Sequence, residues 1–208
     1  KIPPIKIRTG KPAMSRLNPR QQEAVHAISG PVLVLAGAGS GKTSVITRKI
    51  AYLVQQCGIP ARYIVAVTFT NKAAREMKER VSSLLRGREA HGLTVSTFHN
   101  LGLNIIRREH ALLGYKPGFS IFDDSDVKNL LTEIMQKEYA GDDGADEIKN
   151  QIGQWKNDLI LPEQALEQAR SPKEQTAAVV YIHYQRTLKA YNAGDFDDLI
   201  LQPVILFQ

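Results

Sequence analysis

Cysteine occurs once in these 208 residues, at Cys57, so no intramolecular disulfide can staple the chain. A lone cysteine fits a reducing compartment, and near a helix end it reads as a small core residue. Nowhere does an apolar run approach the roughly 20 residues that span a bilayer, and no secretory pattern opens the chain. The expected localisation is therefore cytoplasmic, with no membrane partner. Acids are missing from residues 1–13, which hold four cations and three prolines without a helical period. That segment reads as an extended tail, a linker or a cloning remnant, with Met14 a natural start. What remains is globular in composition: 43% hydrophobic and 23% charged.

Charge is unevenly spread. The net charge is +6, and the sequence pI is near 9.4. Setting aside the four cations of residues 1–13 leaves only +2. Between Arg62 and Glu109 nine Lys and Arg face four acids, whereas Asp123 to Lys149 holds nine acids and three lysines. A basic half suits a polyanionic partner, although solvated helix faces give the same count.

The stretch that organises the chain is Val32 to Thr43, Val-Leu-Val-Leu-Ala-Gly-Ala-Gly-Ser-Gly-Lys-Thr. Its uncharged start predicts a buried parallel strand, Val32 to Leu35. A glycine-rich turn and a helix opening at Lys42 follow. Backbone N–H groups of Ala38, Gly39, Ser40 and Gly41, at the positive end of that helix, would cradle phosphates. Lys42 supplies a cation for the outer phosphates, and the Thr43 hydroxyl can hold Mg2+. A strict phosphate loop has glycine at its first position, where Ala36 stands. The expected cofactors are a nucleoside triphosphate and Mg2+.

Around this stretch, strands are expected at Ile64–Phe69 and Leu93–Thr97, alternating with helices at 42–56, 72–85 (capped by Asn71) and 98–110. That alternation predicts a parallel sheet with ligands at the strands' carboxyl ends. Two polar clusters fall there: Phe69, Thr70, Asn71 and Lys72, then Thr97, Phe98, His99 and Asn100. Aromatic rings beside hydroxyl, amide and ammonium groups hold single strands without sequence preference, yet Phe69 and Phe98 can equally fill core. His99 by itself suggests a satisfied polar residue. Ahead of the loop, Asn18, Pro19 and Gln21 form a helix-starting capping box, with Pro31 closing that helix. Gln21 has a second reading, since its amide can face both the N6 and N7 atoms of adenine. Residues 123–192 show three apolar stripes at helical spacing and no strand, which predicts an all-helical insertion. Asp195, Phe196, Asp197 and Asp198 restart the chain, their carboxylates serving as caps or as Mg2+ ligands.

Five segments then stand in order: Leu-Asn-Pro-Arg-Gln-Gln-Glu-Ala-Val, Ala-Gly-Ala-Gly-Ser-Gly-Lys-Thr, Val-Thr-Phe-Thr-Asn-Lys-Ala-Ala-Arg-Glu-Met, Ser-Thr-Phe-His and Asp-Phe-Asp-Asp-Leu-Ile. Over about residues 16–208 the chain resembles the N-terminal part of superfamily 1 DNA helicases of the Rep/UvrD/PcrA type, with wording nearest the Rep branch. The resemblance implies an α/β RecA-like P-loop NTPase core from 14–110 and 195–208, with a helical accessory subdomain inserted at 111–194. It implies that Gln21 contacts adenine, that Lys42 and Thr43 serve phosphate and Mg2+, and that Phe69, Thr70, Asn71, Lys72, Thr97, Phe98, His99 and Phe196 follow single-stranded DNA. The family often has arginine after the motif threonine. Ser44 stands here, so either adenine packing is weaker or Arg48, one turn on, substitutes. The family's acidic Mg2+ box, its arginine fingers and its second core do not occur within these residues. The resemblance therefore implies a piece of an ATP-driven 3′-to-5′ translocase acting on single strands and single-strand/duplex junctions with replication or repair proteins. Alone, it is expected to bind nucleotide weakly and to hydrolyse it poorly. Two rivals are a small P-loop kinase, which leaves the aromatics unexplained, and an interaction module built on the helical insertion.

Overall fold

The computed structural model describes residues 17–37, 39–139 and 144–208. The expected tail and Ala38 of the glycine-rich turn lie outside the described residues. The chain divides into two compact units, one through Phe98 and the other from His99 onward.

The first unit opens with α1 (Pro19–His26). Asn18 Oδ1 accepts from the Gln21 N–H at 2.8 Å, and Gln21 Oε1 accepts from the Asn18 N–H at 2.9 Å. Each side chain thus satisfies an N–H that the first turn leaves without a helical partner. The helix ends at His26, well before the Pro31 expected to close it. Next comes α2 (Lys42–Gln55), whose inner face buries Val45, Ile50 and Ala51. Two short strands follow, β1 (Val65–Thr68) and β2 (Thr94–Thr97), joined through α3 (Asn71–Leu84). They pair in parallel, Val65 opposite Thr94 and Thr68 opposite Thr97. Ile50, Ile64, Ala66, Met77, Val81 and Leu85 form the core between helices and sheet. The single cysteine is buried, as a core residue should be. Thr70, not Asn71, caps α3: its backbone is extended and its Oγ1 accepts from the Ala73 N–H at 3.1 Å. The hydroxyl one residue earlier reaches the N–H that needs it.

Two expectations about strands change. Val32 to Leu35 forms no ladder among the described residues, and Leu33 and Leu35 are 84% and 87% exposed. An apolar run favours extended backbone, but a strand exists only through a neighbour's N–H and C=O groups. No described strand lies alongside to supply them. β1 is also covered on one face only, since Val65 is exposed while Ala66 is buried.

The second unit continues α4 (Phe98–Glu109) and then builds α5 (Asp124–Tyr139), α6 (Ala145–Asn157), α7 (Pro162–Gln168) and α8 (Pro172–Ala190). Leu130, Leu131, Ile134, Ile148, Ile152, Trp155, Ala178, Tyr181 and Leu188 meet in one core, so the apolar stripes are the buried faces. The region holding them is framed by a ladder that the sequence does not announce: β3 (Ser120–Ile121) pairs in parallel with β4 (Ala193–Gly194). Asn192, at φ +53°, clasps the same point by accepting from the Lys116 N–H at 2.7 Å. A closing helix, α9 (Asp198–Phe207), packs Leu199 with Ile106 and Tyr115. No described helix is long and apolar enough to cross a membrane.

Candidate nucleotide and nucleic-acid sites

In the first unit, the turn before α2 has the backbone a phosphate cradle requires. Gly39 and Gly41 take φ of +73° and +79°, conformations that side-chain-bearing residues rarely adopt. Gly41 is the N-cap of α2, so Lys42, Thr43 and Ser44 occupy its first turn with their N–H groups at the positive end. Lys42 and Thr43 are exposed, while Ser44 and Arg48 are half-buried along the same helix. The Lys42 ammonium donates to the carbonyls of Ala36 at 2.9 Å and Gly37 at 2.7 Å, lying back on its own loop. Gln21 joins the loop from α1, its Nε2 donating to the Ser40 carbonyl at 2.9 Å. Oε1 thus caps α1, as the first sequence reading has it, while Nε2, which the second reading assigns to adenine, holds the glycine turn. First-turn N–H groups of α2 beside an exposed ammonium are a donor set of the kind that fits a polyphosphate. Toward Mg2+ the described residues bring Thr43, and no group of three or more His, Cys, Asp or Glu is clustered among them.

The carboxyl ends of β1 and β2 carry the first aromatic pair. Phe69 and Phe98 stand with ring centroids 5.6 Å apart and planes at 44°. Phe69 is 88% exposed and Phe98 is also exposed, so neither serves as core. Thr70, Asn71 and Lys72 are exposed beside Phe69 at the start of α3. While Thr70 Oγ1 accepts from Ala73, its hydroxyl hydrogen can still donate outward. Thr97, expected on the same surface, is buried instead.

A second pair belongs to the second unit. Phe196, 57% exposed, stacks on His99 at 4.1 Å with planes 22° apart. Asp195 and Asp198, on either side of the turn, each accept from the other's backbone. The Asp198 N–H donates to Asp195 Oδ1 at 2.9 Å, and the Asp195 N–H to Asp198 Oδ2 at 3.1 Å. Asp195 thereby holds the N–H of the first residue of α9, whereas Asp197, at the N-cap position, makes no side-chain cap bond. Asp197 is half-buried, and burial next to Asp195 raises its carboxyl above the ordinary range.

Lys156 was not singled out in the sequence, although a signal was present. It lies four residues after Ile152, so a helix carries it onto the apolar stripe. Its ammonium is buried with Asp195 Oδ2 at 2.6 Å and Asp198 Oδ1 at 3.0 Å. Burial alone would lower its pKa, but the two carboxylates outweigh that and raise it. Burial alone would raise Asp195, and the neighbouring ammonium brings it below its usual value instead. Asp198, wholly enclosed, is raised by burial and by Asp195 despite the same ammonium.

A model of the UvrD/REP helicase N-terminal domain matches residues 17–208. Over 194 residues, 93% of the chain, it is 55% identical to the ATP-dependent DNA helicase Rep of Escherichia coli K12. It is 41% identical over 198 residues to the ATP-dependent DNA helicase PcrA of Staphylococcus epidermidis. The chain spans only 29% and 27% of the lengths of these relatives.

Proposed function

Because this chain belongs to the UvrD/REP helicase family, we propose that it is the ATP-binding and single-strand-binding N-terminal portion of an ATP-dependent 3′-to-5′ DNA helicase. In this reading, 14–110 and 195–208 are the first RecA-like core and 111–194 is an inserted helical subdomain. Gly39, Ser40, Gly41 and the first turn of α2 receive the phosphates, with Ala38 in the same loop. Lys42 leaves the carbonyls of Ala36 and Gly37 for the outer phosphates. Thr43 is the chain's contribution to Mg2+, which supplies charge neutralisation at the terminal phosphates when bound. Ser44 and Arg48 border the adenine side together with Gln21. The longer protein would couple turnover to stepping along one strand and to opening single-strand/duplex junctions during replication or repair.

Gln21 can be tested by splitting its two bonds. Gln21→Glu keeps the acceptor that caps α1 and removes the donor that holds Ser40. We expect unchanged thermal stability and weaker binding of a nonhydrolysable ATP analogue in calorimetric titration. Unchanged affinity would show that the donor serves neither the loop nor adenine.

The observation that carries the nucleic-acid reading is the exposure of Phe69 beside Phe98 at the strand ends of the unit that holds the glycine-rich turn. Ligands of open parallel sheets bind at these ends, and stacked bases are worth about 1–3 kcal/mol each. Anisotropy of a labelled single-stranded oligonucleotide should show binding that tolerates sequence and weakens with salt. Phe69→Ala should reduce the affinity by roughly 5- to 150-fold. No binding, or equal binding by Phe69→Ala, would remove this surface from the DNA path.

A further inference from the structure

Phe196 is held out to solvent by a turn whose two ends are locked. Asp195 and Asp198 exchange backbone N–H bonds, closing a ring with Phe196 and Asp197 at its outer edge. Both carboxylates are buried, three residues apart, and such a pair repels itself more strongly as water is removed. Left alone, one of the two would take up a proton and give up acceptor strength toward its N–H partners. Lys156, 2% exposed, reaches across from α6 and pairs with both. The remaining acceptor capacity is also occupied. Tyr184 donates its hydroxyl to Asp195 Oδ2 at 2.8 Å, and Gln185 donates Nε2 to Asp198 Oδ1 at 3.2 Å. Both carboxylates that close the turn thus meet one ammonium, and the ring that projects from it lies stacked on His99.

We propose that Lys156 is a positioning residue for single-strand binding. By neutralising Asp195 and Asp198 together, it sets the turn that keeps Phe196 on His99 and offers the outer face of that ring to a nucleobase. This rests on the reading of Phe196 as a DNA contact. A lysine that merely completed the core would affect folding, yet in the folded protein it would leave the Phe196 ring where it is.

The test uses the whole chain and two readouts. The imidazole proton resonances of His99, assigned by their loss in His99→Gln, carry a ring-current shift from Phe196. Anisotropy of a labelled oligothymidylate gives the affinity. Phe196→Ala is the reference and should lose the shift and weaken binding at least fivefold. Lys156→Met leaves two carboxylates buried without a cation and is prone to misfold. Lys156→Met combined with Asp195→Asn removes one charge of each sign and preserves side-chain size. With native far-UV circular dichroism, Lys156→Met should lose the His99 shift and bind at least fivefold more weakly, and the double variant, with no carboxylate pair left to repel, should recover both. A folded Lys156→Met that keeps both shift and affinity, or a folded double variant that has neither, while Phe196→Ala binds weakly, overturns the positioning role. If Phe196→Ala binds as well as the parent, the DNA reading of Phe196 fails and the proposed role falls with it. The His99 shift of Lys156→Met and of the double variant then still reports whether Lys156 sets the stack.

Discussion

Gly102→Ala is expected to lower stability by about 3 kcal/mol, the largest single-methyl effect anticipated in this protein. Gly102 lies buried in α4 against α9. A Cβ built there falls 2.9 Å from the Leu199 carbonyl carbon, nearer still to its oxygen, and 3.5 Å from Pro203 Cγ. The identity of that oxygen is informative. Pro203 sits inside α9 four residues after Leu199 and has no N–H to bond it, so the carbonyl is left facing its neighbour. Glycine lets the two backbones approach closely enough for a Cα–H to meet that oxygen. In an exposed helix the same change would stabilise by about 1 kcal/mol through helix propensity. Overpacking against rigid backbone outweighs that gain, because neither helix carbonyl nor proline ring can turn aside. For a chain of this length the midpoint of thermal unfolding should fall by roughly 6–12 °C. An unchanged midpoint would mean that α4 slides away from α9 without loss.

Lys42→Met is the second large effect, and it falls on binding rather than folding. The ammonium is exposed, and its two bonds to Ala36 and Gly37 tie down only the loop that carries it. Thermal stability should therefore change by no more than about 0.5 kcal/mol. A charge-assisted bond to phosphate is worth about 1.5–3 kcal/mol. Losing it should weaken a nonhydrolysable ATP analogue by roughly 10- to 150-fold in calorimetric titration. Equal affinity in the variant would show that the phosphates do not sit at the start of α2.

How legible each feature was depends on how far its cause extends along the chain. The box between Asn18 and Gln21 spans three residues, and both of its bonds occur as their spacing implies. The glycine turn and the start of α2 are equally local, since positive φ at Gly39 and Gly41 is a property of single residues. The helical stripes from Val127 to Leu188 repeat within each helix, and all of them face one core. Val32 to Leu35 shows the opposite case, because its composition favours extension but its ladder must come from elsewhere. The pairing of β3 with β4 joins residues 73 positions apart through two residues on each side, too short for any periodic signal.

By itself, the sequence determined which segments are helices, where the first helix is capped, where a glycine-rich turn opens a helix and which family the chain belongs to. These rest on backbone preferences and side-chain bonds acting within a few residues. Only the tertiary structure decided that Phe69 faces solvent, that Thr97 does not and that Gly102 receives the carbonyl Pro203 leaves unbonded. It alone brought Lys156 to Asp195 and Asp198, 39 residues on in the first case. A side chain's partners across the fold, and whether it meets water or protein, follow from packing of distant elements. That information is carried by no short window of residues.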